Sequence, residues 1–161
     1  ALGSTAHPSS AGSQSNILAT AADFSEASLE DLTIQIMDAE DAKGLKISLT
    51  PKCLVLPTAL VYDGERVIKS SLRVDTANND LNAMNSMGVI PEVVVNNYLT
   101  DSDAWFIRTN GVEDGLCWFD REAVSFTKDN DFDTENAKAK AYMRFVPFWG
   151  DWRGVYGTAG V

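Results

Sequence analysis

One histidine, two cysteines and a scatter of carboxylates are the residues of this chain whose chemistry could reach beyond packing. His7 precedes Pro8 in a Gly/Ser-rich stretch, and a Ser-His-Asp nucleophile would have to be built on it. No G-x-S-x-G turn is present to present the serine, so His7 reads as a loop residue hydrogen-bonded to backbone. Asp129, Asp131 and Asp133 alternate in KDNDFDTEN as the first ligands of a calcium loop do. The sixth position, however, is Thr134 where glycine is needed, and the twelfth is Lys140 where a bidentate glutamate is needed, so a solvated acidic turn fits better. Cys53 and Cys117, far apart and with one histidine between the whole chain's candidates, cannot assemble a four-ligand zinc site. Each lies among apolar neighbours and reads as a small hydrophobe, with a disulfide between them left open. The pairs Asp101/Asp103 and Glu113/Asp114 stand near Trp105 and Trp118 as glycosidase carboxylates stand near rings, but sequence spacing does not set the separation that chemistry needs. Glycine fingerprints for nucleotides are absent. No catalytic residue, metal ligand or cofactor is assigned.

The elements that would have to position any site belong to a chain of 161 residues, enough for one domain that buries roughly 70% of its unfolded surface. With 13 Lys+Arg against 23 Asp+Glu, the net charge of −10 repels phosphate backbones, which argues against sequence-specific nucleic-acid binding. No run of about eighteen apolar residues predicts a membrane span, and no signal-peptide pattern opens the chain. The chain begins at Ala1 rather than Met, mid-phrase, which suggests a processed product or a piece of something longer.

Residues 1–16 are small, polar and aperiodic, and read as a surface loop or linker. A helix follows, capped by Ser25 or Ser28, with Leu29, Leu32, Ile36 and Ala39 on one face and Gly44 as its stop. The run Cys53-Leu54-Val55-Leu56 predicts a strand covered on both faces. Thr58 then caps a second helix, which Gly64 weakens by about 1 kcal/mol relative to alanine. Residues 75–88 read as an exposed Asn-rich loop. Further strands are expected at Val89-Ile90 with Val93–Val95 (buried), Trp105–Ile107, Leu116–Phe119, Val124–Thr127, Ala139–Val146 (ended by Pro147) and Trp152–Tyr156. The sum is a mixed α/β or α+β body.

Aromatic rings crowd the C-terminal end, with Tyr142, Phe145, Phe148, Trp149, Trp152 and Tyr156 within fifteen positions. Such density fits a core, or a subunit interface, where Trp, Tyr and Arg are enriched. Arg144 and Arg153 among the rings favour the interface, whose candidates are Arg144, Phe148, Trp149, Trp152, Arg153 and Tyr156.

Four phrases, in order, carry a resemblance. STAHPSSAGSQSN, LKISLTPKCLVLPTAL with Thr50-Pro51-Lys52 and Leu54 to Pro57, EVVVNNYLTDSDAWFI with Leu99-Thr100-Asp101 and Ala104-Trp105-Phe106, and DWRGVYGTAG with Asp151-Trp152-Arg153-Gly154 resemble the major capsid proteins of tailed bacteriophages, most closely the Mu-like major head subunit branch. Cys53 stands where an aromatic is usual. The resemblance implies the Hong Kong 97 type capsid fold: a leader over 1–24, an axial domain with a helix-flanked central sheet over 25–127 with 148–161, and returning peripheral-domain strands over 128–147. The spine helix, E-loop and N-terminal arm have no counterpart here, so the chain would be the C-terminal portion of such a protein. It implies no enzyme and no cofactor, but a head subunit that self-assembles into pentamers and hexamers around the genome. Partners would be copies of itself, with scaffold, protease and portal proteins, DNA held only non-specifically, and no membrane. The location would be the virion capsid, assembled in the bacterial host cytoplasm. The alternatives are an accessory or decoration module that binds a preformed shell, and a hydrolase or head-maturation protease segment.

Overall fold

A computed structural model of the chain describes residues 2–73, 80–111, 115–130, 133 and 136–160. Its element order is β1 (His7–Ser9), β2 (Gly12–Gln14), α1 (Glu26–Met37), β3 (Pro51–Leu56), α2 (Val61–Lys69), α3 (Ala83–Met87), β4 (Glu92–Val95), β5 (Trp105–Thr109), β6 (Leu116–Asn130), β7 (Ala137–Trp149) and β8 (Val155–Thr158). Short 3-10 turns at Thr58–Leu60 and Trp152–Gly154 precede α2 and β8. The body is α+β in layout, with a four-stranded sheet in the order β4-β3-β5-β8. β3 pairs parallel with β4, and the crossover between them carries α2 and α3, as a parallel connection requires. The other two pairings are antiparallel.

Alternation along the strands sorts the sheet into two faces. Leu54 and Leu56 of β3, Trp105 and Ile107 of β5 and Tyr156 of β8 point to one side, where they meet Leu29, Leu32 and Ile36 of α1, Ile68 of α2 and Met84 of α3 in a single core. The face of α1 that packs is the one the 29, 32, 36 spacing dictates. Its start is the expected one: Ser25 accepts from the Ser28 amide at 3.2 Å while Ser28 Oγ accepts from the Ser25 amide at 3.0 Å. Its end is not. The helix stops at Met37, and Gly44, with φ +86°, serves the turn beyond it, where Asp41 Oδ1 accepts from the Lys43 and Leu45 amides. Those amides, that of Leu45 foremost, lower the Asp41 pKa.

Several expectations need correction. The leader is not a free loop: His7–Ser9 and Gly12–Gln14 form an antiparallel hairpin, and both His7 and Asn16 are buried. Gly64 also serves packing, because a Cβ there would lie 2.2 Å from Cδ1 of the buried Leu56, whose side chain would have to shift. Thr58 makes no side-chain cap, and the N-terminus of α2 follows the 3-10 turn instead. Within the Asn-rich stretch, residues 75–79 lie outside the described residues, while Asn82 caps the short helix α3 and Gly88 ends it in the left-handed region. Ile90 is in the core, but β4 is an edge strand with Val94 and Val95 partly exposed. The strands expected at 116–119 and 124–127 are one strand, and β7 runs through Pro147 to Trp149. In a two-stranded ribbon each strand keeps one free edge, where a proline costs no ladder hydrogen bond. β8 starts at Val155, three residues later than expected, because Trp152–Gly154 is taken up by the 3-10 turn.

Candidate interaction surface

β6 and β7 leave the body as a two-stranded ribbon that, among the described residues, pairs with no other strand. Thirteen residues of β7 span about 43 Å at strand rise, and all thirteen are exposed. The register puts Leu116 opposite Trp149, Trp118 opposite Pro147 and Asp120 opposite Phe145 on one face. Cys117 opposite Phe148 and Phe119 opposite Val146 occupy the other. Both faces carry stacked rings: Trp118 and Phe145 with centroids 4.2 Å apart, and Phe119 and Phe148 at 5.2 Å. β-bulges between Asp120 and Ser125 add twist midway along β6. Near its base the ribbon therefore carries apolar side chains on both faces, covered by no other strand among the described residues, while farther out one face turns polar with Lys138, Lys140 and Arg144.

An isolated two-stranded ribbon is marginally stable in water. This one exposes Phe126 at 78%, Phe119 at 57% and Trp118 at 56%, far beyond the scattered apolar residues of an ordinary surface. What it lacks is a partner layer.

A second uncovered apolar surface lies on the body. The sheet face opposite the core was expected to be covered, since Cys53 to Leu56 is apolar throughout. Instead Val55, Val94, Phe106, Arg108 and Val155 line an open groove of about 600 Å³, walled by the turn at 96–99 and by Leu116 at the root of the ribbon.

The residues singled out as interface candidates divide between these places. Arg144, Phe148 and Trp149 stand exposed on β7. Tyr156 is in the core at 1% exposure, and burial pushes its phenol up to about 12. Trp152 packs against the core and stacks on His7, with centroids 4.2 Å apart and planes within 2°. Arg153 sits 4.3 Å from the centre of the Trp152 ring, donates from Nε to Glu40 O and from Nη2 to Gln14 Oε1, both at 2.8 Å, and pairs with Asp151 at 3.3 Å. Trp152, Arg153 and Tyr156 are thus occupied inside the fold, where they hold β8 to the hairpin. Sequence reading missed Trp118, Phe119, Phe126 and the groove. For Trp118 and Phe119 the available signal was the run of consecutive apolar residues in LCWF, which makes both faces of a strand apolar at once.

His7 braces this junction: its Nε2–H donates to Asn16 Oδ1 at 2.9 Å under the Trp152 ring. Both cysteines are free thiols, and burial raises the pKa of Cys53, which disfavours its reactive thiolate. Among the described residues, no cluster of His, Cys, Asp and Glu has metal-site geometry, and no helix is long and apolar enough to cross a membrane. Glu113 and Asp114 lie outside the described residues, as do Asp131 and Thr134 of the acidic turn.

Neither the curated proteins nor the solved structures yield a match to the chain. A family described as "Phage capsid protein" matches residues 1–158, which takes in the hairpin, the central sheet and the whole ribbon. An uncovered ribbon and an uncovered sheet face are what a shell subunit presents to its neighbours, and the chain belongs to this family of structural proteins of the virion capsid.

Proposed function

We propose that this chain is part of the major capsid protein of a tailed phage, a subunit that joins copies of itself into pentamers and hexamers and so encloses the genome. The observation that carries this reading is the β6–β7 ribbon, with exposed rings stacked on both faces near its base and every residue of β7 exposed, in a chain that matches a phage capsid family from residue 1 to 158. A protein that worked alone would gain from burying these rings; a shell subunit keeps them for its neighbours.

The four phrases quoted above favour the Mu-like branch and the Hong Kong 97 type of subunit. In that arrangement residues 25–127 with 148–161 are the axial domain, 128–147 are the returning peripheral strands, and the spine helix, E-loop and N-terminal arm belong to sequence outside this chain. Scaffold, protease and portal proteins are its further partners, and assembly takes place in the host cytoplasm. The net charge of −10 lets packaged DNA lie against the shell without adhering to it.

Quantitative mass spectrometry of purified heads, with electron microscopy of the same sample, tests this. The reading expects peptides of this chain to dominate the head at hundreds of copies per particle. A few copies per particle would make it an accessory protein, and absence from the head would overturn the reading.

A further inference from the structure

The groove and the base of the ribbon each set a charged group beside apolar residues. The groove is concave and apolar, and among the residues lining it Arg108 alone is charged. The Arg108 guanidinium is exposed and enters no ion pair among the described residues. Glu92 shares its row but lies two strands away, about 10 Å at sheet spacing. On the ribbon, Asp120 lies directly across from Phe145 of the Trp118–Phe145 stack, while Arg121 and Arg144 line a separate pocket with Phe145. Trp118 Nε1 donates to Asp120 Oδ1 at 2.7 Å, which fixes that carboxylate at the edge of the stack.

We propose that the groove of one subunit receives the Trp118–Phe145 stack of a second copy, with Asp120 of the incoming ribbon meeting Arg108 of the groove; the proposal rests on the shell-subunit reading and names the contact that reading requires. An apolar hollow with one guanidinium and a ring stack edged by one carboxylate are complementary in polarity and in the local pair of charges. Because ring stack and groove are different surfaces of one chain, the contact is head-to-tail, and it propagates into rings or lattices rather than stopping at a dimer. Area argues the same way. Two aromatic side chains bury on the order of 300–500 Å², short of the roughly 800 Å² per partner of a stable pair. Closing a ring adds one contact that an open chain of the same subunits lacks, so closed assemblies outlast isolated dimers.

Charge reversal tests the contact. Arg108→Asp and Asp120→Arg are made singly and together in the full-length protein, circular dichroism checks that each folds, and assembly is read by sedimentation velocity and electron microscopy. Each single reversal is expected to weaken association about tenfold or more, and the double variant to regain most of it. Single variants that assemble like the parent overturn the contact while leaving the shell-subunit reading intact. Loss in the singles without recovery in the double also overturns it, since the two residues then do not face one another. A parent protein that fails to assemble overturns both.

Discussion

His7 lies flat on Trp152, two residues 145 positions apart in the chain, and this stack closes the junction between the N-terminal hairpin and the last strand. Asn16 completes it. Its Oδ1 accepts from the Ser4 amide and from His7 Nε2 at 2.9 Å, and its Nδ2 donates to the carbonyls of Leu2 and Val155 at 2.8 Å and of Trp152 at 3.3 Å. The backbone follows suit, since the Gly157 amide donates to Asn16 O.

Asn16→Asp is therefore expected to cost more than its size suggests. It keeps the acceptor but turns a donor that serves three carbonyls into an oxygen that repels them. Chemical denaturation should show a loss of about 3 kcal/mol or more, and Asn16→Ala a loss of about 2 kcal/mol. Equal stability of Asn16→Asp and the parent would mean the junction is not held this way.

Gly64→Ala separates local propensity from packing. Helix propensity alone expects a gain of about 1 kcal/mol. The approach of Leu56 Cδ1 to the added Cβ expects instead a loss of about 1–3 kcal/mol, because Leu56 is fully buried and has little room to turn aside. The sign of the change in urea midpoint decides between them.

Two tryptophans three positions apart should fail in different ways. Trp152→Ala removes a ring that packs on the core, His7 and Arg153, and should lower unfolding stability by about 2 kcal/mol. Trp149→Ala, on the exposed ribbon, should leave the unfolding midpoint nearly unchanged and reduce assembly. Phe148→Ala and Arg144→Ala should behave as Trp149→Ala does. Reversed outcomes for the two tryptophans would show that the ribbon is structural and that the C-terminal turn is the contact.

Tyr156 sets an alkaline limit. Burial raises its pKa from 10.0 to about 12, with Arg153 partly opposing the rise. The folded state thus holds the phenolic proton more tightly than the unfolded one. The associated stability is intact below pH 10 and is lost as the pH climbs towards 12, by about 2–3 kcal/mol. Tyr156→Phe cannot ionise and should flatten this part of the stability-against-pH curve. A curve of unchanged slope would contradict the assignment.

The central strand and first helix were legible because their signals are local: four apolar residues in a row at Cys53–Leu56, and a one-faced stripe behind a serine cap at Ser25. The hairpin was not. Its residues are polar and small, and what orders them is Trp152 and Val155 at the other end of the chain. The packing at Gly64 was missed for a related reason, since its neighbour is a leucine on another element. The crowded aromatics near the C-terminus were seen, but composition could not divide them between the core, which took Tyr156, and the ribbon, which took Phe148 and Trp149. The open groove escaped because an unbroken apolar strand implies cover on both faces without saying whose chain supplies it.

Sedimentation velocity of the protein across a hundredfold range of concentration puts the account's central claim, that this chain's uncovered surfaces are filled by its own copies, to the most direct test. Ring-sized species that grow with concentration, well above the 17.5 kDa of the chain, are the expected result. A single monomeric boundary at every concentration would contradict it.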